Sequence, residues 1–460
     1  MNRERRTPRK ELPPGERVKN FDEVAIGYMK EEAIEEAKRC LQCREPRCMK
    51  GCPVGINIPK FIRAVKEEDF VRAIKIIKEN NFLPSVTGRV CPQENQCEGS
   101  CLLGKKFEPV AIGALERFVA DWARDNNIIE KPEVKVSNGK KVAIVGSGPS
   151  GLTCGAYLAN LGYSVKIFET LHKAGGVLAY GIPSFRLPDS VVEAEVEYVK
   201  SLGVEIEIDV LIGRIFDLKE LFHNGYGAIF LGTGAGLPRF PDVPGENLNG
   251  IYSANEFLFR VNLMKAHLFP EYDTPIKIGR KVVVIGAGNV TMDSARVARR
   301  LGRDVTVVYR RTEVEMPARK EEVEHGKQEG LEFRFLVSPV AFYGDEQGNV
   351  KIMRCIKMKL GEPDASGRRR PDPVEGSEFD MNVDTVIIAI GQSPNRLIPM
   401  STRDLQITRR GTIVVDEHEK TTIEGVFAGG DATTGQATVI AAMGSGKRAA
   451  ESIHRYLSSK

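Results

Sequence analysis

The sequence predicts an α/β protein with an all-helical N-terminal module followed by two doubly wound units, the second inserted in the first. Three observations carry this prediction. No strand pattern appears before Lys140, and the apolar positions up to there recur at helical spacing. A glycine-rich turn at Gly146 then joins an apolar run to a helical run, and the same arrangement starts again at Gly286. The expected divisions are 1–137 for the helical module, 138–265 and 395–460 for the two parts of the first unit, and 266–394 for the inserted unit.

A length of 460 residues fits about three domains. The hydrophobic share of 42% is enough for several buried cores, so bulk stability needs no disulfide or metal staple. A net charge of +4 with 28% charged residues describes a soluble chain. Its lysines and arginines alternate with acids and form no long basic stripe, which speaks against nucleic-acid binding. Met1 to Glu23 is charged, contains prolines and lacks an apolar core segment, and no run is long enough to span a membrane. A cytoplasmic location is expected.

Residues 1 to about 24 read as an irregular arm. Helical spacing runs from Met29 to Cys43, and Ile58 to Ile77 carries two short helices broken near Glu67, Glu68 and Asp69. Seven of the nine cysteines fall within sixty-two residues here. Cys40, Cys43, Cys48 and Cys52 form C-x2-C-x4-C-x3-C with Pro53 after the last, and Cys91, Cys97 and Cys101 form C-x5-C-x3-C. Soft thiolates at such spacing suit iron-sulfur clusters, and the closing C-P is a ferredoxin feature. A zinc site would pair two C-x2-C knuckles, and only one is present. Two 4Fe-4S clusters need eight ligands, so one is not a cysteine, and the candidates downstream are carboxylates.

Lys141 to Val145 reads as a buried strand that enters Gly146-Ser147-Gly148-Pro149-Ser150-Gly151, with a helix from Leu152 to Leu161. The next strand, Ser164 to Phe168, ends at Glu169. The glycines let backbone amides approach a pyrophosphate, the helix N-terminus favours its charge, and the acid suits a ribose hydroxyl pair. This is a Rossmann-like dinucleotide-binding unit. Lys281 to Ile285 opens another, with Gly286, Gly288, Asn289 and Val290 in the turn and Thr291 where a third glycine would stand. Its following strand, Val305 to Tyr309, ends in Arg310 and Arg311 with no acid. Arginine there favours a 2'-phosphate, so this unit should take NADP(H). A buried strand from Asp384 to Ile390 closes at Gly391, and Gly425 to Gly430 leads to Asp431 and then a helix over Gln436 to Ala450. This last segment should return to the first unit.

At these residues the chain resembles the two-dinucleotide-domain flavoproteins and, more narrowly, the small, NADPH-oxidising subunit of glutamate synthase. It is similar as well to the large subunit of NADH-dependent ferredoxin:NADP oxidoreductase and to the N-terminal part of dihydropyrimidine dehydrogenase. The resemblance runs from about Arg17 and is carried by Cys40-Leu41-Gln42-Cys43, Gly51-Cys52-Pro53-Val54, Gly88 to Gln93, Gly175-Gly176-Val177-Leu178 and Tyr180-Gly181-Ile182-Pro183. It implies two 4Fe-4S clusters, FAD and NADP(H). One cluster would take Cys40, Cys43, Cys48 and Cys101, and the other Cys52, Cys91, Cys97 and a ligand that is a glutamine in dihydropyrimidine dehydrogenase and falls on Glu116 here. Gly146, Gly148 and Gly151 would cradle the FAD pyrophosphate, Glu169 its adenosine ribose, and Asp431 the ribityl or pyrophosphate region. Gly176, Val177, Gly391, Gly430, Ala437 and Thr438 complete the implied cofactor-binding set. The helix that starts near Ala437 and Thr438 would turn its positive end toward reduced flavin.

The activity implied is hydride exchange between NADP(H) and flavin, with single electrons leaving through the clusters. The acceptor is either the FMN-containing large subunit of a glutamate synthase or, in an electron-bifurcating complex, ferredoxin and a 2Fe-2S flavoprotein subunit. Disulfide reductases need a cysteine pair beside the flavin, whereas Cys154 and Cys355 each stand alone and read as core residues. His172, His223, His267, His325, His418 and His454 are dispersed without a metal-ligand pattern.

Overall fold

The computed structural model describes residues 4–128, 136–364 and 367–460. Residues 129–135, just before the division expected at 137, lie outside the described ones. The N-terminal arm is more ordered than expected: β1 (Lys10–Glu11) pairs antiparallel with β2 (Ala25–Gly27), and Leu12 N bonds Val24 O at 2.9 Å. Strands of two and three residues are too short to show an alternating pattern, so the sequence could not announce them.

α1 (Lys30–Lys38) stops short of Cys43. The helix closes at Arg39, and Gln42 takes a left-handed φ of 51° in the loop that carries Cys40 and Cys43. α2 (Ile58–Lys66) and α3 (Phe70–Lys78) are separated at Glu67–Asp69 as expected. Asn57 caps the first by accepting from Lys60 N, and Asp69 caps the second by accepting from Arg72 N. α4 (Pro84–Val90) and α5 (Ile112–Asp125) complete the main helices of the module.

The first unit begins with β3 (Lys141–Val145), α6 (Pro149–Asn160) and β4 (Ser164–Phe168), then α7 (Asp189–Ser201), β5 (Val204–Glu207) and β6 (Tyr226–Leu231). The chain leaves this sheet at β7 (Ile251–Ser253), which joins the second sheet although it precedes the division expected at 266. β8 (Lys281–Ile285), α8 (Asn289–Arg300), β9 (Asp304–Tyr309), α9 (Lys320–Gln328) and β10 (Glu332–Phe335) follow. Four antiparallel strands, β11 (Val337–Gly344), β12 (Val350–Pro363), β13 (Arg369–Pro373) and β14 (Phe379–Asn382), form a separate sheet that the sequence reading did not foresee. β15 (Thr385–Ile388) then completes the second parallel sheet in the order β10-β9-β8-β15-β7. β16 (Val426–Ala428) returns to the first, giving β16-β6-β3-β4-β5, and α10 (Val439–Ser458) lies across α6. The first unit is therefore discontinuous and the second is inserted, which is the predicted fold class. α10 starts at Val439 and continues past the expected Ala450 to Ser458.

One hydrophobic core runs from the helical module, through Phe61, Leu83 and Leu115, into the first unit at Ile144, Leu152 and Met443. The module is thus fused to the first unit by burial of apolar surface and is not tethered beside it. No described helix is long and apolar enough to cross a membrane.

Candidate functional site

The seven clustered cysteines all have free thiols. They divide into two groups by the charges that act on them. Burial pushes the Cys48 thiol up to about 12, and Cys101, Cys40 and Cys43 add to that rise. Burial also raises Cys40, with Cys101 and Cys43 again contributing. Cys91 and Cys97 are raised well above the usual thiol range, first by burial and then by a shared set of neighbours that includes Glu116 and Cys52. Cys52 in turn feels Glu116. The structure therefore gathers Cys40, Cys43, Cys48 and Cys101 at one place, and Cys52, Cys91, Cys97 and Glu116 at another.

Crowded thiols with raised pKa values are poorly stable as free anions, and a positively charged metal centre reverses that preference. No three cysteine sulfurs among the described residues all lie within 4.8 Å of one another. A tetrahedral ion bound at about 2.3 Å would draw four sulfurs to roughly 3.8 Å, so the wider spacing fits a cluster better than zinc. Glu11, Glu321 and His325 do come that close, but Arg17, Arg9 and Arg319 already neutralise their carboxylates.

Glu116 sits on α5 at 6% exposure, too buried for the surface role its helical context would have allowed. Its Oε1 accepts from Asn81 Nδ2 at 2.7 Å and Thr87 Oγ1 at 2.5 Å. Burial pushes its carboxyl up to about 7 against those two bonds. Among the described residues no hydrogen bond reaches Oε2, so one oxygen is held in place while the other keeps its lone pairs.

At the first glycine turn, Gly146 has φ 99°, and a Cβ there would meet Gly232 O at 2.5 Å. A Cβ on Gly151 would meet Gly146 O at 2.0 Å, so only glycine lets α6 start this close to β3. The space beside Gly148 is open to 4 Å, as a cradle for a ligand requires. Glu169 Oε2 accepts from Ser147 N and Oγ at 2.9 and 2.6 Å, which brings the acid back onto the turn. Gly176, at φ 55°, backs onto Gly148, where a Cβ would lie 2.8 Å from its Cα, and Val177 follows as the first residue of a short helix. Gly430 abuts Ser150, so Asp431 stands at the same turn, its carboxyl raised to about 6 by burial against a backbone bond from Ala437. Thr438 caps α10 by accepting from Ala441 N at 3.3 Å.

The second turn repeats this with a change. Gly286 has φ 141°, and the space beside Gly288 is open. Thr291 is fully buried, and its hydroxyl accepts from Gly288 N at 3.2 Å and donates to Ala389 O at 3.5 Å. Asn289 Oδ1 accepts from Arg319 N, and Val290 packs on the core beneath. Gly391, with φ 117°, ends the neighbouring strand and faces Gln436. The two arginines have different surroundings. Arg311 is 5% exposed and spends its guanidinium on Asp364 Oδ2 and Arg369 O, both at 2.7 Å. Arg310 is exposed and has no hydrogen bond or ion pair among the described residues.

Residues 17–128 match the family described as dihydropyrimidine dehydrogenase domain II, 4Fe-4S cluster, and residues 140–446 match pyridine nucleotide-disulphide oxidoreductase. The small chain of NADPH glutamate synthase from Halomonas elongata is 36% identical over 98% of this chain and 96% of its own length. The chain belongs to the glutamate synthase small-chain family of pyridine nucleotide-disulphide oxidoreductases. It is accordingly an NADPH-dependent oxidoreductase with flavin-type and 4Fe-4S domains. The beta subunit of NADP(+)-dependent formate dehydrogenase from Moorella thermoacetica is 41% identical over 89% of this chain, which spans 60% of that subunit's length. Mycobacterium tuberculosis FprA, solved in complex with NADPH, shares the fold at a TM-score of 0.58 and 20% identity, over 70% of this chain and 85% of its own.

Cys154 is fully buried on α6 and Cys355 fully buried on β12, each as a single core thiol. Three contributors escaped the sequence reading. Asn81 and Thr87 hold Glu116. Arg319, at the start of α9, donates to Arg89 O and Gln93 Oε1 at 3.1 Å, tying the inserted unit to the segment that carries Cys91. Lys447 on α10 donates to Val54 O at 3.1 Å and Asn80 Oδ1 at 2.6 Å, beside the Cys52 loop. None had a local signal.

Proposed function

We propose that this chain exchanges a hydride with NADP(H) and relays single electrons to a partner subunit, as the small subunit of a glutamate synthase does in forming glutamate from glutamine and 2-oxoglutarate. FAD and two 4Fe-4S clusters supply the redox chemistry when bound. Gly146, Gly148, Gly151, Glu169 and Asp431 hold the flavin dinucleotide, and Gly286, Gly288 and Arg310 hold NADP(H). The quartet of Cys40, Cys43, Cys48 and Cys101 and the set of Cys52, Cys91, Cys97 and Glu116 hold the clusters.

The observation that carries this reading is the contact between α10 and the Cys52 loop. Ala437, just before α10, bonds Asp431 at the first glycine turn, Gly446 of that helix abuts Ser150 of the turn, and Gly444 and Lys447 touch Pro53 and Val54. One helix thereby connects the proposed flavin site to the set of Cys52, Cys91 and Cys97, of which Cys91 and Cys97 are buried, while all four cysteines of the quartet are partly exposed. That order suits entry at the flavin and exit at the quartet. The large subunit of an electron-bifurcating complex would use the same residues with ferredoxin and a 2Fe-2S flavoprotein subunit as partners.

Anaerobically purified protein should contain about eight iron and about eight acid-labile sulfide per chain with about one FAD, and NADPH should bleach its visible spectrum. Stoichiometric zinc without sulfide, or a spectrum that NADPH leaves unchanged, would overturn the reading. Copurification with an FMN-bearing large subunit, against copurification with a 2Fe-2S flavoprotein, separates the two partners.

A further inference from the structure

We propose that Arg319 and Gln93 couple nucleotide binding at the second glycine turn to the set of Cys52, Cys91, Cys97 and Glu116, so that an occupied turn lowers the potential of the cluster held there. This rests on the reading of that set as a cluster site and of that turn as the NADP(H) site. Hydrogen bonds run from residue to residue between the two without a break. Asn289 opens α8 within the turn and is partly exposed, and its Oδ1 accepts from Arg319 N at 2.9 Å. Ala318 N adds a second bond to the same turn, at 3.2 Å from Ala287 O. The Arg319 side chain then reaches across to the helical module, where it donates to Arg89 O and Gln93 Oε1, both at 3.1 Å, one on each side of Cys91 in the chain.

Gln93 carries the link onward. Its Nε2 donates to Thr87 O and Gly88 O, both at 3.4 Å, and Thr87 Oγ1 donates to Glu116 Oε1 at 2.5 Å. Gln93 also packs on α5, where a Cβ on Gly113 would stand 2.3 Å from its Nε2. Arg319, Gln93, Thr87 and Glu116 are all buried, so solvent screens their interactions little. Glu321 Oε2 accepts from Arg319 Nη2 at 2.8 Å, and Glu94 Oε1 lies 3.5 Å from Arg319 Nε, which orients the guanidinium. Arg319 still acts on Cys91 as a cation, more strongly than Glu94 acts in the opposite sense. A nucleotide brings phosphate charge to the turn, and any movement of Asn289 or Ala287 is passed to the Arg319 backbone. Added negative charge, and loosening of Arg319 from Arg89 O and Gln93 Oε1, both disfavour the extra electron of a reduced cluster. An electron there leaves more readily while nucleotide is in place, and by linkage reduction of the cluster weakens nucleotide binding by the same factor.

The test uses 2'-phospho-ADP-ribose, which keeps the pyrophosphate and the 2'-phosphate of NADP(H) but has no nicotinamide and so accepts no hydride. Redox titrations of the whole protein, followed by magnetic resonance, give both cluster potentials with and without a saturating amount of it. In the wild type the potential of one cluster should fall by about 59 mV, a coupling of about tenfold for a one-electron centre, and that of the other should move much less. Arg319→Met and Gln93→Met should still bind the analogue, and each should cut the shift to less than about half. Gln93→Met keeps the Arg319 charge, so its potential without analogue should stay near that of the wild type, whereas Arg319→Met should lower it. No shift in wild-type protein that binds the analogue, equal shifts at both clusters, or an undiminished shift in both variants would overturn the proposal. If Arg319→Met reduces iron content, Gln93→Met decides alone, and an undiminished shift in it overturns the link. Wild-type protein that lacks iron or does not bind the analogue instead refutes the functional reading beneath.

Discussion

Gly444 and Pro53 are in such close contact that a Cβ on Gly444 would stand 2.8 Å from the Pro53 carbonyl oxygen. The contact joins the helix that begins at the first glycine turn to the residue directly after Cys52. Gly444→Val must push the two apart, at about 1–3 kcal/mol for overpacking. Thermal unfolding should shift down accordingly, and electron exit from reduced flavin should slow while bleaching by NADPH keeps its rate. An unshifted exit rate would mean that this contact only packs.

Glu329 holds together the inserted unit. Its two oxygens face Arg296 Nη2 and Arg300 Nη1 at 2.7 Å each, with all three side chains fully buried. Glu329→Gln leaves the buried Arg300 guanidinium without its carboxylate and Arg296 with Glu322 alone, and should cost about 3–5 kcal/mol in chemical denaturation.

The same residue predicts a pH dependence. Burial would raise the Glu329 carboxyl, but hydrogen bonds from Arg296 and Arg300 overcome it and hold the group at about 2, below its ordinary 4.5. A depressed folded pKa stabilises above the unfolded value and loses that contribution as pH falls. The wild type should therefore lose about 3 kcal/mol from this group between pH 4.5 and 2. Equilibrium unfolding of Glu329→Gln should be correspondingly flatter over that range, and parallel curves would remove Glu329 from the account.

Arg310 and Arg311 separate into a ligand candidate and a structural group. Arg310→Ala removes charge-assisted bonds worth about 1.5–3 kcal/mol, so NADPH binding should weaken at least about tenfold with NADH nearly unaffected. Arg311→Ala removes the bonds to Asp364 Oδ2 and Arg369 O and should appear mainly as a lower Tm. Titration of both nucleotides against both variants decides, and equal loss of NADPH and NADH in Arg310→Ala would sink the 2'-phosphate assignment.

Glu116→Ala should alter one cluster's magnetic-resonance signal and potential and spare the other, while flavin reduction stays intact. Glu116→Gln can still accept from Asn81 and Thr87 and should keep both clusters with one potential moved, since the ligand atom changes from carboxylate to amide oxygen. Two unaltered signals in Glu116→Ala would leave this residue a buried hydrogen-bond acceptor only.

The sequence by itself determined the parts whose physics is local. Gly146, Gly151 and Gly286 are needed because the adjoining backbone comes within 2.0 to 2.5 Å of where a Cβ would sit, and this demand appears as a motif between strand and helix. The cysteine spacing and the strands at 141–145 and 164–168 were legible for the same reason. The antiparallel sheet was not foreseen, because β11 and β12 form only a hairpin locally and β14 joins them through pairs such as Met353 with Met381. Tertiary structure alone decided which arginine is buried, which amide and hydroxyl hold Glu116, and that α10 meets the Cys52 loop. These depend on contacts between residues tens or hundreds of positions apart. No local period or propensity encodes such contacts, because they are set by how the cores pack once the local elements exist.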